Sequence, residues 1–112
     1  MSITHTSEEL INQAAAILGK YIPGEALSDV EHSTLSSAVD NTLAEIEKIV
    51  SVDREQVPNV LFETIAYLVA AFAAAAFSNV PRDKQTIENW EQRLRYLVAQ
   101  TPTYEPVQAY FF

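Results

Sequence analysis

The stretch that decides the fold is VPNVLFETIAYLVAAFAAAAF, Val57–Phe77. Pro58 suits the first position of a helix, where the amide it lacks would be unpaired anyway. From there the sequence predicts a single helix to Phe77. No charge occurs over the fourteen residues Thr64 to Phe77, so a membrane span has to be considered. Fourteen residues rise about 21 Å, short of the roughly 30 Å of bilayer hydrocarbon. The flanks also lack the basic anchors of a membrane helix. A buried helix is expected instead, with no membrane partner. It is apolar on nearly every side and therefore needs neighbours all round. Three companion helices can cover much of it, and complete cover calls for another subunit. Ala70, Ala71 and Ala73 to Ala76 would let those neighbours approach closely.

The companions can be read on either side. Thr6 and Glu9 have the spacing of a capping box, in which each side chain satisfies the other's orphan amide. Leu10, Ile11, Ala14, Ile17 and Leu18 then form a one-sided stripe, and Gly19 suits the left-handed closing position. A second capping-box spacing, Ser28 to Glu31, opens a helix whose buried face is Leu35, Val39, Leu43, Ile46 and Val50. Its Ser33, Thr34, Ser36, Ser37, Asp40, Asn41 and Thr42 are expected to be solvated or against a neighbouring subunit. Pro81 is read as the start of a fourth helix reaching about Gln100, with Ile87, Trp90, Leu94, Leu97 and Val98 inward. Glu91 and Arg95 are spaced as a surface i,i+4 pair. The expected fold is all-α: a four-helix bundle-like body without a sheet over residues 1–100, and an extended C-terminal arm over 101–112.

That arm reads TPTYEPVQAYFF. Pro102 and Pro106 favour an extended chain, which spans at most about 40 Å. Tyr104, Tyr110, Phe111 and Phe112, with Pro106, are the candidate partner-binding residues, because buried aromatics usually dominate interface energies. The competing reading folds these rings back over the end of the fourth helix.

Composition narrows the chemistry. The chain of 112 residues is 48% hydrophobic and lacks cysteine, so it can hold a packed core and has no thiolate metal site or disulfide. Its opening, MSITHTSEEL, lacks the basic start and apolar stretch of a signal peptide. The net charge of −8 is uneven. Eleven acids between Glu8 and Glu63 face only Lys20, Lys48 and Arg54, whereas residues 64–112 carry four charges of each sign. An acidic body gains no counterion release on phosphate, so conventional nucleic-acid binding is not expected. The two glycines fit no phosphate cradle, and no serine sits in a nucleophile elbow. His5 and His32 read as isolated, without a second ligand at metal-site spacing, and are assigned surface or capping roles. No cofactor is expected. Glu63 is the one carboxylate at the edge of an apolar stretch, and a small hydrolase using it is a remote reading. The chain reads as an interaction protein rather than an enzyme.

TSEELINQAAAILG followed by LSDVEHSTLSSAVDNTLAEIE resembles the phage head-to-tail adaptor (connector) proteins, in particular the podovirus tail accessory factors. The likeness rests on Leu10, Ile11, Ala14, Leu18-Gly19, Leu27 to Glu31, Leu35, Ala38-Val39-Asp40 and Leu43-Ala44-Glu45. More loosely, the proline-started apolar helix is similar to the third helix of siphovirus connectors. The resemblance implies a ring, typically dodecameric, under the portal protein at the head-tail junction of a virion, assembled in the host cytoplasm. Such a ring extends the DNA channel, helps retain packaged DNA and attaches a tail or nozzle protein. DNA would pass nearby without specific binding. The SVDREQ link and the C-terminal extension are both short for that family. The alternative from the residues alone is a small helical binding or scaffold module that dimerises through its apolar third helix.

Overall fold

The computed structural model describes residues 3–20 and 24–100. In chain order its elements are β1 (Thr4–His5), α1 (Ser7–Ile17), α2 (Asp29–Ile46), β2 (Val57–Pro58), α3 (Asn59–Ser78) and α4 (Lys84–Gln100). The fold is all-α apart from the two short strands.

Local chemistry sets the helix ends. Glu9 N–H donates to Thr6 Oγ1 at 3.2 Å while Thr6 N–H donates to Glu9 Oε1 at 2.8 Å, closing the first capping box. Ser28 and Glu31 make the same exchange, 3.1 Å each way. At the far end of α1, Gly19 takes φ +75° and Lys20 N–H reaches back to the Ala15 carbonyl at 2.8 Å. That is a left-handed close, for which glycine carries no Cβ penalty. Asn79 closes α3 the same way, at φ 54°.

Two helix starts differ from expectation. Pro58 caps α3 rather than opening it, because its extended backbone (φ −59°, ψ 138°) is engaged in strand pairing. α4 begins at Lys84, not Pro81. Asp83 sets that boundary: its carboxylate accepts from Thr86 N–H at 3.2 Å and from the Thr86 hydroxyl at 2.8 Å.

The body is organised around α3, which packs against α1, α2 and α4 in turn. Leu10, Ile11 and Ala14 of α1, Leu35, Val39 and Ile46 of α2, and Leu94 of α4 meet Ile65, Leu68, Val69 and Ala73 of α3 in one core. The α2 face departs from the sequence reading. Thr42 is fully buried, Leu43 only partly, and Val50 lies beyond the helix end at Ile46.

A small antiparallel sheet was not expected. Thr4 pairs with Pro58 and His5 with Val57, and Asn59 N–H donates to the Ile3 carbonyl at 2.9 Å. The pairing pins the chain's start to the entry of α3. The α2–α3 link is held on two sides. Arg54 donates to Asp40 and to the Ser36 hydroxyl at 2.9 Å, and Glu55 accepts from the Ser7 hydroxyl at 2.6 Å.

Candidate interaction surface

α3 determines which surfaces are open. Its twenty residues span about 30 Å, so the whole helix is longer than its uncharged portion suggested. By length and composition it could cross a membrane, with a mean hydropathy of 2.0, and half of that window is enclosed by the protein's own helices. The expected packing against companion helices is present, over half of the helix, and the rest of it is left uncovered. Val60 is 54% exposed, Glu63 is exposed, and Tyr67, Ala71 and Ala74 are half-buried. Spaced by three and four residues, these five lie along one side of the helix. Tyr67 stacks on Trp90 of α4 with ring centroids 4.3 Å apart, which fixes α4 beside this stripe. Glu63, the remote catalytic candidate, points to solvent here rather than into an enclosure.

A second opening lies between α2 and the C-terminal end of α3. Ser33, Thr34, Ser37 and Asn41 form one wall, Phe72, Ala75 and Ala76 the other, and Arg82 stands at the rim. The volume is about 630 Å³. Apart from Phe72, the wall side chains on α3 are alanines, and Ser33, Thr34 and Ser37 on α2 are also small, which permits close approach of another backbone. The Arg82 guanidinium lies 4.4 Å from the Phe72 ring centroid, a cation–π contact that holds the rim. Sequence reading singled out both sets of residues without bringing them together.

Charge is placed unevenly in space as well as in sequence. Between the start of α1 and the start of α2, Glu8, Glu25, Asp29 and His32 line a concavity of about 450 Å³. His32 Nε2 sits 3.0 Å from Glu8 Oε2. His5 is likewise not isolated. It stacks on Phe62 with centroids 4.1 Å apart, lies 2.7 Å from Asn59 Oδ1, and has Glu9, four residues on, at 3.5 Å. Among the described residues no three His, Asp or Glu side chains gather as a metal site requires.

Three carboxylates are held below their ordinary pKa by the amides and hydroxyls they cap. The Thr6 backbone amide acts on Glu9, the Ser7 hydroxyl on Glu55, and the Thr86 hydroxyl on Asp83. Glu91 is a different case and corrects the sequence reading. It is buried, with only 8% of its side chain exposed, and lies 3.5 Å from Lys48 across the fold. The expected surface partner was Arg95.

The partner-binding candidates Tyr104, Pro106, Tyr110, Phe111 and Phe112 lie outside the described residues. No family model matches the chain, and neither a curated protein nor a solved structure matches it.

Proposed function

We propose that this chain is a structural head-to-tail adaptor of a bacteriophage virion, a subunit of a ring beneath the portal protein. One observation carries the reading furthest. The core helix of the protein itself reaches the surface, along Val60, Tyr67, Ala71 and Ala74 and at the Ala75–Ala76 end. A subunit finished as a monomer has little reason to leave its most apolar helix uncovered, whereas a ring subunit covers it with a neighbour. The acidic first half supports a channel role, since carboxylates near the lumen keep DNA mobile by repelling it. In this reading the twelve-residue arm, through Tyr104, Pro106, Tyr110, Phe111 and Phe112, docks on the portal. A tail or nozzle protein joins the opposite side of the ring, and no membrane or cofactor takes part. The work is mechanical rather than catalytic. A dimer formed through α3 as a whole fits less well, because α1, α2 and α4 already pack against that helix and enclose half of its apolar window.

Truncation tests the proposal. Deleting residues 103–112 should leave the thermal midpoint of the free protein nearly unchanged and abolish co-purification with the portal. A truncated chain that loses several degrees yet still joins the portal would assign the arm to its own core and contradict the docking role.

A further inference from the structure

The four cations of the second half are all exposed, and their pattern is unusual for so acidic a chain. Arg82, Lys84, Arg93 and Arg95 make no ion pair with any described residue. In the acidic half, Lys48 and Arg54 are both paired. At 3.6 residues per turn, Arg93 and Arg95 flank Tyr96 on the outer side of α4. Tyr96 is 55% exposed, and the Arg93 guanidinium lies 5.4 Å from its ring centroid. An exposed tyrosine between two arginines has the composition of an interface centre.

The complementary surface is on the same molecule but elsewhere. The α1–α2 concavity has Leu27 among its lining residues and carries Glu25 and Asp29, neither of which pairs with a described cation. The geometry points to a head-to-tail contact in which Tyr96, with Arg93 and Arg95, of one copy seats on Glu25 and Asp29 of the next. Made once per pair of copies, a contact between two different surfaces repeats indefinitely or closes into a ring; made twice within one pair, it gives a two-fold dimer. Nucleic acid is the poorer occupant of the α4 face. The same segment exposes Asp83 and Glu88, and the chain as a whole is at −8. This contact rests on the reading of the chain as a self-assembling subunit.

Charge reversal on the full chain tests it, with sedimentation velocity at low salt as the measurement. Protein concentrations up to about a millimolar half-populate even a contact with a Kd of 1 mM. The wild-type chain should associate, and added salt should weaken the association. Arg93→Glu with Arg95→Glu, or Glu25→Lys with Asp29→Lys, should each weaken it by about tenfold or more, since like charges then oppose one another. Mixing the two double variants should restore it, because each now offers the surface the other needs. Thermal unfolding of each variant checks that it folds, and the milder Arg93→Gln with Arg95→Gln should give an intermediate loss. A folded reversal variant that associates like wild type, or a mixture that does not recover, overturns this contact and leaves the ring reading standing. A wild-type chain that stays monomeric throughout also overturns it, and imaging of the particle decides the adaptor reading separately. Duplex DNA binding that disappears in Arg93→Glu with Arg95→Glu would assign the α4 face to nucleic acid instead.

Discussion

Thr42 Oγ1 is buried in the α2–α3 core with no hydrogen-bond partner among the described residues. An unpaired hydroxyl in that setting costs about 1–3 kcal/mol of desolvation, and a methyl of the same shape carries no such cost. Thr42→Val should therefore be neutral or raise stability by about 1 kcal/mol, read from chemical denaturation. A clear loss would mean that the hydroxyl has a partner. Glu91 presents the opposite balance. Its buried carboxylate depends on the half-exposed Lys48, so Lys48→Ala strands a charge and should cost about 1–3 kcal/mol. A variant as stable as wild type would show that the pair does not hold the carboxylate. Neither residue could be assigned from the sequence. Thr42 looked like one more polar position on a polar helix, and the Glu91 partner lies 43 residues away in the chain. Glu91–Arg95 has the right spacing for a pair, but Glu91 turns inward where Arg95 does not.

The elements were legible where their ends are local. Thr6–Glu9, Ser28–Glu31 and Gly19 each set a boundary through contacts within a turn or two, so three or four letters suffice. The two-residue strands escaped because so short a segment has no alternation to read, and their pairing joins residues 54 apart in the chain at Thr4 and Pro58. Asp83 and Thr86 did carry a signal for the start of α4, overshadowed by Pro81. These caps make stability depend on acid. Glu9, Glu55 and Asp83 have lowered pKa values in the folded state, so the unfolded chain binds more protons in the acidic range. Their contribution is fully present above the ordinary carboxylate pKa, near pH 4, and is lost as the pH falls through the lowered folded values. The thermal midpoint should thus drop between neutral pH and about pH 3, and Glu55→Gln should reduce the size of that drop. An identical drop in the variant would show that Glu55 does not contribute to it.

At the scale of the whole molecule the open questions concern surfaces and charge. An all-apolar helix in the sequence foretold both the core and its unfinished cover, but not which neighbours would leave which side free. The stacking of Tyr67 on Trp90 and the inward placement of Leu94 decide that, and both are long-range choices. With eight excess negative charges, the free protein should have no measurable affinity for duplex DNA at physiological salt. Submicromolar binding that weakens steeply with salt would contradict the channel role proposed for its acidic half. The proposed adaptor role is tested most directly by electron microscopy of phage particles, with this chain located in the density. A closed ring of copies directly beneath the portal, with the C-terminal arms reaching it, is the predicted result. Density for this chain away from the portal vertex, or as isolated two-fold dimers, would contradict the adaptor role.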